Sequence, residues 1–349
     1  MRCCLLGLTV AITLLVPASG ESQDLILDFF SQYLDSLRVQ AGIPGLSVAI
    51  VGGNEILLEQ AFGHQDVELA VPAGTDTPYH LDGVTQIVTT ALLLGCVEDG
   101  HLALDDAVGQ YDPDGLDATA TVRELMSHTR RGASGPEFAH SLARFDSLTA
   151  VVNACTGSPI HEAVGQLFDR LGSTDTVPGP DAAGRFDSQG DTARAARYWH
   201  VLERVAAPYA IGGDTQPFAS QHPATTLTAA GGLISSVRDV ALLEIELRTG
   251  VLVRPETMAQ AWAAPLGPND EPLPHALGWF VQSYAGEPIA WQFGMAENAS
   301  SSLVVVAPTH GLTLVLLANS DGLAKPFDLA TGDLTLSPFA RVFLELFLR

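Results

Sequence analysis

The sequence predicts an α+β protein, its sheet assembled from the two ends of the chain and a mostly helical region inserted between them. Three observations carry this expectation. Apolar residues recur at helical spacing and then in a hairpin pattern within the first 81 residues. From about residue 82 to 225 the pattern is of helices and loops. The remainder returns to apolar runs of strand length before a closing amphipathic helix.

Taken in order, Leu25, Ile26, Phe29, Phe30, Tyr33, Leu34 and Leu37 predict a helix that stops near Gly42-Ile43-Pro44. Residues 46–51 form a buried strand, Gly52-Gly53-Asn54 turns the chain, and residues 56–58 return as a second strand. A loop rich in Gly, Pro and Thr leads to Tyr79-His80-Leu81, and Asp82 is placed to cap a helix running to about Asp99-Gly100. Residues 121–128, 147–154 and 163–171 predict three more helices, whereas 177–225, rich in Pro, Gly, Asp and Thr, show no readable order. Ser235-Ser236-Val237-Arg238-Asp239 caps a helix carrying Leu242, Leu243 and Leu247. Strands are expected over residues 277–281, 302–306 and 312–318, and a final helix over 338–348. One domain thus covers 24–349, with sheet segments at about 24–81 and 226–349 flanking the helical region at about 82–225.

The first twenty residues stand apart. Met1-Arg2 is a short positive start, Cys3 to Val16 is apolar, and Pro17-Ala18-Ser19-Gly20 offers small residues for cleavage. This is the pattern of a signal peptide, too short and too weakly flanked for a membrane span, and it predicts a secreted or periplasmic protein with no span after cleavage. Removal of residues 1–20 takes Arg2 away and leaves 16 basic against 40 acidic side chains, a net charge of −24. Such a surface repels nucleic acid and anionic membranes. It also leaves two cysteines, Cys96 and Cys155. Export permits a bridge, but their apolar, helix-like surroundings favour two buried free thiols. His161-Glu162 opens like a zinc motif, yet Gly165 stands where the second histidine belongs, so neither a metal nor another cofactor is expected.

Several segments, in order and spacing, resemble the serine β-lactamase, penicillin-binding protein (DD-peptidase) and esterase superfamily, closest to its class C-like branch. They are residues 43–51 (Ile-Pro-Gly-Leu-Ser-Val-Ala-Ile-Val), Ala61-Phe62-Gly63, residues 100–106 (Gly-His-Leu-Ala-Leu-Asp-Asp), Leu125-Met126-Ser127-His128-Thr129, Leu171-Gly172 with Thr174, residues 230–236 (Ala-Gly-Gly-Leu-Ile-Ser-Ser) with Asp239, and Leu277-Gly278-Trp279-Phe280. The resemblance spans roughly residues 25–349 and implies the β-lactamase/transpeptidase-like fold, an antiparallel sheet flanked by the N- and C-terminal helices.

The chemistry it implies is missing. That family acylates a serine at a helix start, with a lysine one turn later as S-x-x-K to take the serine proton. The corresponding run here is residues 79–86, Tyr-His-Leu-Asp-Gly-Val-Thr-Gln, which places Gly83 at the serine position and Gln86 at the lysine position. The chain has a single lysine, Lys325, and Gly322 stands three residues before it, so S-x-x-K occurs in no register. The Tyr-x-Asn motif falls on His140 and Leu142, and the Lys-Thr-Gly motif on Gln292 and Gly294, of which the glycine alone is retained. Thr85 lies about 200° around the helix from Gly83 and faces away from the cleft. Asp82 is expected to place negative charge where the family binds an acyl oxyanion or a carboxylate. Ser127-His128-Thr129 reads as structural, and Arg130-Arg131 as a surface pair matching local acids.

These positions predict a pseudoenzyme with no catalytic residues. Its cleft, near Gly83, Gln86, His140, Leu142, Gln292 and Gly294, is expected to bind a small molecule, a peptide or a partner loop. Two alternatives stay open. An open cleft with His140 hydrogen-bonded to an acid would mark a rebuilt hydrolase with His140 activating water. A cleft filled by side chains would mark a purely structural protein.

Overall fold

The computed structural model describes residues 19–348, with side chains from residue 24 onward; the expected leader therefore falls almost wholly outside the described residues. Seven antiparallel strands form the central sheet in the order Phe280–Tyr284, Glu287–Ala296, Ser300–Ala307, Leu312–Ala318, Gly45–Gly52, Glu55–Asp66 and Val71–Pro72. The strands from the two ends of the chain meet where Val48 pairs with Leu316.

Alternation decides which layer each side chain joins. Leu46, Val48, Ile50, Leu314 and Leu316 pack towards the terminal helices, Ser19–Gln40 and Pro338–Phe347. Those helices meet through Phe30, Phe343 and Phe347, with ring centroids 5.7 Å apart for Phe30–Phe347. Ala49, Val51, Val315 and Leu317 face the opposite layer, with helices Thr85–Glu98 and Val237–Arg248. A sheet covered on both faces explains why residues 46–51 carry no polar alternation beyond Ser47, whose hydroxyl is hydrogen-bonded with Tyr79 at 3.0 Å. No helix among the described residues is long and apolar enough to cross a membrane.

Several expectations need correction. The second strand runs over Glu55–Asp66, not residues 56–58. The strand expected at 277–281 is Phe280–Tyr284, because Gly278 turns the chain with φ 75°. Glu287–Ala296 is a strand that apolar runs missed; Pro288, Gln292 and Gly294 break its pattern. Residues 177–225 hold helices Ala182–Ser188 and Thr192–Leu202 and a short hairpin, Tyr209–Ile211 with Pro217–Ala219. These helices close over a small core of Val177, Phe186, Tyr198 and Ile234.

Cys96 and Cys155 are not free thiols. They form a disulfide, with Cα atoms 5.9 Å apart, joining helix Thr85–Glu98 to helix Leu148–Thr156. Two apolar helix faces that pack together bring the sulfurs within bonding reach, which the composition of each segment alone does not reveal.

Candidate functional site

The site lies where the start of helix Thr85–Glu98 meets strand Glu287–Ala296. The chain approaches through Leu81, whose N–H donates to the Leu233 carbonyl, and makes a 3-10 turn over Asp82–Val84. Asp82 does not cap the helix as expected. Its backbone is left-handed (φ 47°), which turns the carboxylate towards the sheet, where it accepts a 2.8 Å hydrogen bond from the Ser300 hydroxyl. Burial pushes its pKa up to about 6, against the pull of Ser300 and the Ala296 backbone.

Gly83 packs backbone to backbone against the strand. A Cβ at this position would lie 2.4 Å from the Phe293 carbonyl oxygen and 3.4 Å from the Gly294 Cα. A Cβ on Gly294 would lie 2.1 Å from the Leu81 carbonyl oxygen. The two glycines thus permit a contact that any larger residue would wedge apart.

Beside this contact is a cavity of about 290 Å³ lined by Gly83, His140, Leu142, Phe293, Gly294, Met295, Ala324, Lys325, Asp328, Leu329 and Ala330. No residue in that wall carries a hydroxyl or a thiol. Of the positions expected at the cleft, Gly83, His140, Leu142 and Gly294 line it. Gln86 and Gln292 do not; both are fully buried behind it.

There they form a polar layer. Gln86 Oε1 accepts from His128 Nε2 at 3.1 Å and from Gln292 Nε2 at 3.4 Å. Gln292 Nε2 also donates to the Gly278 carbonyl at 3.1 Å, and its Oε1 accepts from the Phe293 N–H at 3.0 Å. His128 Nδ1 accepts from the Ser141 N–H, and His275 Nδ1 donates to the Ala276 carbonyl at 2.8 Å; these contacts assign the proton to Nε2 of His128 and Nδ1 of His275. His128 is thus buried with both ring nitrogens hydrogen-bonded, and Thr85 is turned inward, accepting from the Leu233 N–H.

Three imidazoles adjoin this layer. His128 lies with its ring centroid 4.6 Å from those of both His140 and His275. Burial lowers all three pKa values, that of His275 to about 3, and each of the two buried rings is further disfavoured as a cation by its histidine neighbours. His140 also packs against Phe280 and Phe293, and among the described residues no carboxylate is hydrogen-bonded to it. At neutral pH it is an uncharged ring without the acid that would orient it as a base.

Lys325, the single lysine of the chain, lines this same cavity. Its ammonium is 3.0 Å from Asp321 and 3.3 Å from Glu297, and these hydrogen-bonded acids raise its pKa. It remains an ammonium and cannot serve as a base near neutral pH. Neither Lys325 nor Asp328 carries a motif signature; they come from the turns after strand Leu312–Ala318. His275 lies two residues before the family-like Leu277-Gly278-Trp279-Phe280, the one sequence signal that could have flagged it. Arg130 and Arg131 pair with Glu137 and Glu124 away from the cavity. Among the described residues no group of three or more His, Cys, Asp or Glu is placed to hold a metal.

Comparison with known proteins adds a lineage to this geometry. A protein-family model described as beta-lactamase matches residues 28–335. The protein flp of Staphylococcus aureus is 29% identical over 134 residues, which is 36% of this chain and only 27% of that protein. Among solved structures, the octameric penicillin-binding protein homologue from Pyrococcus abyssi superposes with a TM-score of 0.71 at 17% identity, covering 91% of this chain and 77% of that one. A class C beta lactamase from Rhodobacter sphaeroides gives 0.61 at 19% identity, over 84% and 94% of the two chains. At these identities the structural likeness speaks for the fold alone.

Proposed function

Since the chain belongs to the beta-lactamase family, we propose that it is an exported, non-catalytic member whose cleft serves as a binding or regulatory module. The observation that carries this reading is the backbone contact at Gly83: the Phe293 carbonyl occupies the space that the Cβ of a nucleophile would need, 2.4 Å away. Covalent catalysis needs a nucleophile and a base within hydrogen-bond reach of each other. Here the nucleophile's volume is closed, the base position holds an amide tied to His128 and Gln292, and the nearby ammonium is kept protonated by Asp321 and Glu297.

Two further features favour binding over the alternatives. The cavity is open, which weighs against a purely structural role. His140 lacks the acid partner that would make it a water-activating base, which weighs against a rebuilt hydrolase. The test is the purified mature protein challenged with a fluorophosphonate probe, a chromogenic β-lactam and a panel of short-chain esters. We expect no adduct by intact-mass spectrometry and no turnover above that of the His140→Ala variant. Turnover that His140→Ala abolishes would overturn the reading.

A further inference from the structure

The charges at the mouth of the cleft point to the class of ligand it takes, an inference that rests on reading the cleft as a binding site. Its walls are apolar. Leu142 and Met295 stand 43% and 39% exposed at its edge, and Phe293 and Leu329 continue the apolar surface inward. The one neighbouring imidazole, His140, is kept neutral by burial.

The charged groups are unbalanced. Lys325 supplies a single positive charge, which Asp321 and Glu297 already oppose while Asn298 Oδ1 accepts from its ammonium at 3.1 Å. Asp328 adds a third carboxylate. It lines the cavity, is exposed, and makes no side-chain hydrogen bond or ion pair among the described residues. Its position is set by the backbone: it has φ 43° between the one-turn helices Lys325–Phe327 and Leu329–Thr331, a left-handed conformation that Asp and Asn adopt more readily than other side-chain-bearing residues. Meanwhile the position that would carry a cation for a carboxylate ligand is Gln292, whose amide is buried and committed to Gly278 and Gln86.

We propose that the cleft binds a small ligand with a primary ammonium on a short apolar body, the ammonium at Asp328 and the body against Leu142, Phe293, Met295 and Leu329. A volume of about 290 Å³ is at the lower end for small-molecule sites, so the body is no larger than one ring and a short chain. Attraction to an exposed carboxylate is modest and screened by salt, worth up to about fivefold in affinity.

The experiment titrates the mature protein, at low salt, with three probes of one shape: phenethylammonium, 2-phenylethanol and 3-phenylpropionate. Dissociation constants are read by ligand-observed NMR. The expected order of affinity is ammonium, then alcohol, then carboxylate. Asp328→Asn should weaken the ammonium about fivefold and leave the alcohol unchanged. Lys325→Met should strengthen the ammonium, and Leu142→Trp should block all three, with circular dichroism confirming that each variant is folded. A carboxylate that binds as tightly as the ammonium, an ammonium affinity indifferent to Asp328→Asn, or no ammonium binding at millimolar concentration would each overturn the proposal. Its failure is separable from failure of the binding role. An alcohol or carboxylate displaced by Leu142→Trp keeps the binding role, whereas ester turnover in a parallel assay sinks the non-catalytic reading and leaves the charge preference standing.

Discussion

At position 83 the absence of a side chain is a packing requirement. The Gly83 and Gly294 backbones touch, with the Leu81 and Phe293 carbonyls filling the volume of either Cβ. Gly83→Ala should therefore push the helix start off the strand and lower stability by about 1–3 kcal/mol, the usual cost of overpacking. Urea unfolding measures it, and an unchanged midpoint would mean the strand yields freely. Gly83→Ser combined with Gln86→Lys should fare worse, because it also buries an ammonium between His128 and Gln292 in place of a hydrogen-bonded amide. No acylation is expected from it. The sequence made half of this legible: one lysine preceded by Gly322 excludes S-x-x-K without any alignment. The closure of the slot was not legible, since it depends on how near a carbonyl 210 residues away approaches.

Elements were readable where burial imposed a simple pattern. Strands Gly45–Gly52 and Leu312–Ala318 lie between two apolar layers, so they are written as unbroken apolar runs. Glu287–Ala296 was not readable by pattern, because its site-forming half trades apolar residues for Gln292 and Gly294, which serve the polar layer and the close contact. The helices within 177–225 escaped for a different reason: they bury a small satellite core through alanines such as Ala182, Ala183 and Ala195, which give no strong stripe. The disulfide is not legible in the sequence because pairing is a property of two helices together. It closes a loop of 59 residues, for which chain entropy gives a stabilisation of about 4 kcal/mol. Cys96→Ala with Cys155→Ala should lower unfolding stability by up to that amount, and reduction of the native protein should do the same. Since the bridge anchors the far end of the helix that begins beside Gly83, affinity at the cleft is the second readout: ligand affinity should survive in the folded variant, because Cys96 is near the helix's other terminus.

For the whole molecule, burial of ionisable groups in their neutral forms sets the response to pH. Glu244 lies fully buried on helix Val237–Arg248, and desolvation pushes its pKa up to about 8 despite the opposing charge of Arg248. Between about pH 4.5 and 8 the folded protein holds a proton there that the unfolded chain has released, so stability falls as pH rises through that window. Asp82 acts in the same sense between its ordinary value of 3.8 and about 6. The histidines act in the opposite sense. Burial pushes His80 and His275 down to about 3 and His128 well below its ordinary 6.5, so below pH 6.5 the unfolded chain takes up protons that the folded one refuses. Burial also lowers His140, His161 and His222 and raises Asp239, so six histidines outweigh three carboxyls on the acid side, and above pH 6.5 Glu244 acts with little opposition from them. Stability should therefore peak near pH 6–6.5, each unmatched proton contributing a slope of about 1.4 kcal/mol per pH unit. The net charge of −23 adds self-repulsion on the alkaline side, so the decisive measurement compares the native protein with Glu244→Gln across pH 4–8.5 by denaturant unfolding. The variant should lose most of the decline above pH 6.5 and keep the decline below it. Native stability that still rises at pH 8, or a variant with the same alkaline slope, would show that the carboxyl is ionised in the fold and that Arg248 holds it so.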